Sequence, residues 1–77
     1  MLRMRFHLTI SPDDYVAYYA GKVRSVSVSS DDGRRIEFPA AHLREFVTHQ
    51  GIRGYFEIEF DEEHRFVALH QLSKNAF

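Results

Sequence analysis

The first ten residues show the clearest alternation of apolar and polar side chains in the chain. Apolar residues occupy the even positions from Leu2 to Ile10, and the odd positions between them are charged or polar. This two-residue period predicts a β-strand with one buried and one solvated face. Ser11 and Pro12, with two aspartates after them, predict the N-terminus of a short helix. We expect Gly21 to end that helix in the left-handed conformation.

The next segment predicts a β-hairpin. Three valines indicate a strand with a bulge near residues 24–25, and two further apolar residues indicate its partner strand. The residues are Val23, Val26 and Val28 in the first strand and Ile36 and Phe38 in the second. Asp31, Asp32 and Gly33 between them are typical of a tight reversal, in which glycine adopts a positive φ.

The second half of the chain predicts one more helix and two more strands. After Pro39, four apolar residues follow helical spacing, namely Ala40, Leu43, Phe46 and Val47, and Gly51 is expected to end this helix. An amphipathic strand follows at residues 55–60, and a further strand follows at residues 66–72. The last strand carries apolar side chains on both faces, so we expect it to lie inside the sheet or against a second subunit.

The predicted order of elements is strand, helix, strand, strand, helix, strand, strand. This order is typical of an α+β domain with a curved, mainly antiparallel five-stranded sheet and two short helices; closure of the sheet into a partial barrel stays open as an alternative. Residues 1–72 are expected to form a single compact domain, because 77 residues are too few for two cores. Residues 73–77 are predicted to be a flexible tail.

Charge and composition exclude several classes of function. Ten basic and eleven acidic side chains give a net charge of -1, so no overall field attracts the chain to nucleic acid or to an anionic membrane. The absence of cysteine removes disulfides, zinc-thiolate sites and cysteine nucleophiles. No segment has the apolar run of a signal sequence or a membrane span, so we expect a cytoplasmic protein without membrane contact.

The histidines and acidic residues match no catalytic or metal-binding pattern. His42 and His49 are seven residues apart, whereas a metal site needs three or four ligands at close spacing. Asp61, Glu62 and Glu63 lack the glycine and the alternation of a calcium loop and are interpreted as a solvated turn. Because nucleophile motifs and glycine-rich phosphate loops are also missing, we predict no catalytic residue, no metal and no cofactor.

Eight of the ten basic residues are arginines. Arg3 and Arg5 alternate along the first strand as Glu57 and Glu59 do along the fourth, so cross-strand ion pairs are expected, with Arg35 as a further partner. Four arginines between the second and fourth strands form the candidate binding patch: Arg34, Arg35, Arg44 and Arg53. Their planar guanidinium groups suit phosphates and stacked bases.

Three tyrosines crowd the first helix, namely Tyr15, Tyr18 and Tyr19. We interpret them as packing that helix onto the sheet, since tyrosine supplies a large apolar body. A platform for stacked bases is the less favoured alternative.

A resemblance to a known family covers essentially the whole chain. The segment GRRIEFPAAHLR at residues 33–44, with YYAG at 18–21 and GIRG at 51–54, resembles a family of very short bacterial proteins catalogued only as a domain of unknown function, number twenty-eight thirty-five. The resemblance implies a free-standing bacterial domain with no assigned reaction, cofactor or partner. Within the shared segments, Arg44 and Arg53 are the side chains that the fold does not require.

The sequence therefore predicts a small binding or protein-interaction domain without catalytic activity. Its partner would be an unknown protein or a second copy of the chain, bound through the last strand. The alternative hypothesis is binding of RNA or single-stranded DNA through the four-arginine patch. An enzyme is the third class, and it would need a concave site with perturbed carboxylates or a bound metal.

Overall fold

The computed structural model describes residues 1–74, which form five strands and two short helices. In chain order these are β1 (Leu2–Ile10), α1 (Pro12–Tyr19), β2 (Ser25–Ser29), β3 (Arg35–Pro39), a 3₁₀ helix (Ala40–Phe46), β4 (Ile52–Phe60) and β5 (Phe66–Ser73). The predicted α+β class and the predicted order of elements are confirmed. Ser73, where the predicted tail begins, is part of β5, and residues 75–77 of that tail lie outside the described residues.

The five strands are antiparallel, as predicted, but they form two sheets where the sequence predicts one. β4 lies between β1 and β5 in a three-stranded sheet, and β2 pairs with β3 in a separate hairpin. β1 pairs with β4 along its whole length, from Leu2 opposite Phe60 to Ile10 opposite Ile52. Among residues 1–74 no strand pairing joins the hairpin to the three-stranded sheet, so the sheet does not close and the barrel alternative is wrong.

β5 lies at the edge of its sheet, so its predicted interior position is wrong. It pairs only with β4 in the described structure, and two register shifts leave Val67 and Leu72 without a partner residue. These two side chains are 44% and 45% exposed. The apolar residues on both faces of β5 therefore arise from bulges, which interrupt the alternation, and not from burial on both sides. Contact with a second subunit stays a prediction.

One hydrophobic cluster receives side chains from all seven elements. The ring of Phe6 on β1 lies 5.7 Å from the ring of Phe56 on β4 and 5.9 Å from that of Phe38 on β3. Phe6 therefore packs the three-stranded sheet against the hairpin. Leu43 of the 3₁₀ helix and Tyr15 of α1 are buried in the same cluster, so both helices are fixed by side chains that point into the core.

α1 begins and ends as predicted. The Ser11 hydroxyl accepts a hydrogen bond from the Asp14 amide at 3.1 Å and so satisfies one of the unpaired amides of the first turn. At the other end Gly21 has a φ of 78°, and the Lys22 amide donates to the Ala17 carbonyl at 3.0 Å. This is the pattern of a Schellman C-cap.

Two local predictions are wrong. β2 begins at Ser25, so Val23 lies in the loop before the strand and the predicted bulge is absent there. The second helix ends at Phe46, because Val47 returns to an extended conformation with a ψ of 138°. Gly51 does not end the helix: its amide and carbonyl both bond to Thr48, which closes a four-residue turn.

Two hairpin loops share one geometry but differ at the left-handed position. The loop between β2 and β3 is closed by the Ser30 amide bonded to the Arg34 carbonyl at 2.8 Å, and that between β4 and β5 by the Asp61 amide bonded to the Arg65 carbonyl at 2.9 Å. The position before each closing arginine has a positive φ, 87° at Gly33 and 65° at His64. His64 is the non-glycine residue with a positive φ in the described part of the chain.

We predict that Gly51→Ala destabilises the fold by about 3 kcal/mol, which combines backbone strain with steric overlap. Gly51 has a φ of 86°, and an added Cβ would overlap the Ile10 carbonyl oxygen and lie 2.9 Å from the Pro12 nitrogen. Gly33→Ala is the control, because a Cβ there meets no atom within 4 Å and only the positive φ is strained; it should cost about 1 kcal/mol. Urea unfolding measures both, and equal losses would contradict the steric role of Gly51.

We predict that His64→Gly stabilises the fold by about 0.5 to 1 kcal/mol. Glycine removes the left-handed strain of an L side chain, and its greater freedom in the unfolded chain offsets part of that gain. The free energy of unfolding from urea titration tests this change. A loss of stability would mean that contacts of the His64 side chain outweigh the strain.

Candidate anion-binding site

The outer face of the three-stranded sheet carries the cross-strand ion pairs that the sequence predicts. Arg3 Nε lies 3.2 Å from Glu59 Oε1, and Arg5 Nε lies 2.9 Å from Glu57 Oε2. The pairs form because β1 and β4 place these residues directly opposite each other. Arg35 does not join them, since its Nε donates to the Ser27 hydroxyl at 2.9 Å.

The two hairpin loops neutralise two more arginines. Arg34 Nε donates to Asp32 Oδ2 at 2.7 Å, and the Ser30 hydroxyl donates to the other oxygen of the same carboxylate. In the second loop Arg65 lies 3.1 Å from Asp61 and 3.0 Å from Glu63. The acidic loop at residues 61–63 is thus the solvated turn that the sequence predicts.

The four arginines of the candidate patch lie on separate parts of the surface. Arg34 and Arg35 are neighbours at the turn of the β2–β3 hairpin. Arg44 lies on the 3₁₀ helix, which follows the opposite end of that hairpin, and Arg53 lies near the start of β4 opposite Thr9. Arg53 has an interaction of its own within the chain. The ligand-binding role of these four residues stays a prediction.

Arg44 instead shares a cleft with Arg24, a residue that the sequence reasoning missed. Neither guanidinium group has a hydrogen-bond or ion-pair partner among residues 1–74. The two are brought together by a backbone contact, since the Ala40 amide donates to the Arg24 carbonyl at 2.8 Å. This bond joins the loop after α1 to the start of the 3₁₀ helix, and so Arg24 and Arg44 line the same space.

The cleft has a volume of about 240 Å³ and lies between α1 and the 3₁₀ helix. Its charged lining consists of the two arginines, and no carboxylate lines it. Tyr15 and Tyr18 of α1 form one wall, with ring centroids 6.4 Å apart. Tyr15 is buried in the core and Tyr18 is half-buried, so the wall is held in place by the fold. The arrangement offers two cations beside aromatic rings.

A second depression of about 400 Å³ adjoins this cleft and shares Ala41 and Arg44 with it. It lies between the 3₁₀ helix and β5. The ring of His42 stacks on that of Phe66 there, with centroids 3.7 Å apart and an angle of 12° between the planes. Glu45 also lines this second depression. Arg44 therefore borders two depressions that are each lined by aromatic side chains.

Comparison with known protein families matches residues 2–72 to the family described as Protein of unknown function (DUF2835). The chain belongs to the DUF2835 family. No significant match to the DUF2835 chain is found among curated proteins or solved structures. The resemblance noted from the sequence is confirmed, and the family description assigns no ligand to the cleft.

The DUF2835 chain shows no cluster of ligands for a metal ion in the part that the structure describes. The histidines lie on separate elements: the ring of His7 packs 4.4 Å from that of Tyr55, and His70 Nε2 lies 3.7 Å from Glu59 Oε1. Within residues 1–74 no helix is long and apolar enough to cross a membrane.

We predict that Asp32 makes the stability of the DUF2835 domain sensitive to acid. Hydrogen bonds from Arg34, and next from Ser30, hold the pKa of the Asp32 carboxyl well below its usual range. A carboxyl whose pKa is lower in the folded state stabilises that state above its unfolded pKa of about 3.9, and the stabilisation is lost as the pH falls further towards the folded pKa. The backbone amide of Arg65, together with other donors, lowers the pKa of Asp61 in the same direction.

Thermal unfolding measured between pH 6 and pH 2 tests this expectation. Asp32→Asn should lower Tm near pH 6 and should show a smaller decrease of Tm below about pH 4 than the unmodified chain. If both proteins lose the same Tm on acidification, Asp32 does not contribute to the acid sensitivity.

Proposed function

We propose that this DUF2835 domain is a binding domain without catalytic activity, which recognises an anionic group in the cleft of Arg24 and Arg44. The observation that carries the proposal is a pair of guanidinium groups without acidic partners, lining a cleft without a carboxylate. Arginine binds carboxylates and phosphates through two parallel hydrogen bonds, so two such groups in one cleft suit an oxyanion.

Pairing of the other arginines supports this choice of site. Arg3, Arg5, Arg34 and Arg65 each lie within ion-pair distance of a carboxylate. A ligand that bound them would have to displace an internal partner, whereas Arg24 and Arg44 are available at no such cost. Arg24 and Arg44 are therefore two arginines without an acidic partner that line one cleft.

The end of α1 does not explain the two arginines. A basic side chain close to a helix C-terminus often bonds the last carbonyl groups. Here the backbone amides of Lys22 and Val23 donate to the Ala17 carbonyl at 3.0 and 3.2 Å, and the Gly21 amide donates to the Tyr18 carbonyl at 3.1 Å. These carbonyls are satisfied by the backbone, which supports a role for the guanidinium groups outside the fold.

The lining of the cleft also supports a binding role over catalysis. Acid–base chemistry needs a general base within hydrogen-bond distance of the proton to be moved. Tyr15 and Tyr18 line the space between Arg24 and Arg44, but no histidine, carboxylate, serine or cysteine does.

Self-association through β5 stays a prediction, but the shape of that edge favours it less. β5 has an unpaired side, and Val67 and Leu72 are half exposed on it. The bulges at these two residues leave only residues 68–71 in regular register with β4. Bulges on an edge strand disfavour pairing with a further strand.

Inorganic pyrophosphate is the probe for the proposed function, followed by NMR of the arginine Nε–Hε groups. We expect saturable shifts of Arg24 and Arg44 at millimolar pyrophosphate. Arg24→Gln or Arg44→Gln should weaken binding about fivefold, the equivalent of about 1 kcal/mol for one exposed charge-assisted contact. Arg65→Gln is the matched control, since it removes the same charge from the β4–β5 loop. Equal effects of all three substitutions, or no saturable shift, would contradict the proposal.

A further inference from the structure

We infer that the anion recognised by this cleft is the phosphate backbone of a single-stranded nucleic acid, whose bases stack on the aromatic rings beside Arg24 and Arg44. The inference rests on the proposed function and names the ligand class of the same site. Its surface comprises the cleft of Arg24, Arg44 and Tyr18 and the adjoining depression with His42 and Phe66.

The first step is the alternation of cations and rings across this surface. Arg44 lines both depressions, so it borders the cleft of Tyr18 and also the depression of the stacked pair His42 and Phe66. Proteins that bind single strands combine a positive groove for the backbone with aromatic side chains for successive bases. A carboxylate or an isolated phosphate would use the arginines but would leave the rings on both sides without a role.

The second step is that the rings are held in place before a ligand arrives. Tyr18 packs beside Tyr15, which is anchored in the core, and His42 is fixed against Phe66 of β5. Side chains that are already ordered lose less conformational entropy when a ligand binds. The stacking energy of a base is therefore not spent on ordering the ring.

The third step favours a single strand over a duplex. The aromatic rings line depressions between α1, the 3₁₀ helix and β5, so a base must leave its own stack to reach them. Bases in loops and single strands can turn outward in this way, whereas paired bases cannot without unpairing. Neither helix is free to enter a groove of a duplex by the face that carries Tyr15 or Leu43, since both side chains are buried.

The fourth step concerns affinity. The net charge of -1 supplies no overall attraction, and the Glu45 carboxylate lines the second depression, so attraction to a strand depends on Arg24 and Arg44 themselves. If two phosphates are neutralised by Arg24 and Arg44, the logarithm of the binding constant should fall against the logarithm of salt concentration with a slope of about -1.4. A shallow slope of this size distinguishes two contacts from a broad basic surface.

Fluorescence anisotropy with three labelled probes of equal length tests the inference: an oligothymidylate dodecamer, an abasic oligodeoxynucleotide with the same phosphates, and a polyglutamate peptide. We expect the oligothymidylate to bind about tenfold more tightly than the abasic strand, because stacking of even one base on an aromatic ring contributes that much. Tyr18→Leu should reduce the difference between the two strands, because it removes one of the rings on which a base stacks. Tyr19→Leu is the matched control, since Tyr19 lies on the same helix, is 70% exposed and does not line the cleft.

The outcomes separate this inference from the proposed function. Equal binding of the oligothymidylate and the abasic strand overturns the inference but leaves anion recognition standing. Binding of polyglutamate as tight as that of the oligothymidylate has the same meaning. Loss of both strand binding and pyrophosphate binding overturns both. Circular dichroism checks that each variant folds. If Tyr18→Leu does not fold, Arg44→Gln replaces it, because the Arg44 side chain is exposed and has no hydrogen-bond or ion-pair partner among residues 1–74. The Arg44→Gln variant should bind oligothymidylate about fivefold more weakly, and its salt slope should be about half that of the unmodified chain.

Discussion

The antiparallel pairing of β1 with β4 is the constraint on which the rest of the structure depends. Nine residue pairs without an interruption fix which side of each strand faces the core. Phe6 opposite Phe56 lies inside, and Arg5 opposite Glu57 lies outside. A slip of one residue would exchange the two faces of β1, because side chains alternate with a period of two. Burial of the aromatic residues therefore also fixes the charge pairs on the opposite face.

This register determines which charges the domain can offer to a ligand. Because the glutamates of β4 face the arginines of β1, the largest surface of the sheet is close to neutral. The hairpin loops neutralise Arg34 and Arg65 in the same way, through carboxylates two to four residues away along the chain. Arg24 and Arg44 lie outside both arrangements, since one is in the loop after α1 and the other is on the 3₁₀ helix. Their availability is a consequence of where the acidic residues lie.

Local patterns predicted much of the fold but little of the cleft. The alternation from Leu2 to Ile10 and the capping residues of α1 each report on one element, so the sequence was sufficient for them. The same holds for the pairs of Arg3 and Arg5 with glutamates, because alternation on two strands implies a shared face. The predictions were wrong where tertiary contacts override the local pattern. β5 carries apolar residues on both faces because it is bulged. The second helix is a short 3₁₀ segment that ends before Val47. Arg24 and Arg44 are twenty positions apart, and they are brought together by the pairing of β2 with β3, which the bond between the Arg24 carbonyl and the Ala40 amide extends.

The hydrophobic core adjoins the cleft and shares a residue with it. Tyr15 belongs to both, since it is buried in the cluster around Phe6 and also forms a wall of the cleft. The side chains of Arg24 and Arg44 are exposed, and their guanidinium groups have no hydrogen-bond or ion-pair partner in the described part of the chain. A domain of this size has few residues to spare outside its core. The proposed binding role rests on these two exposed guanidinium groups and on the rings beside them, which the core holds in position.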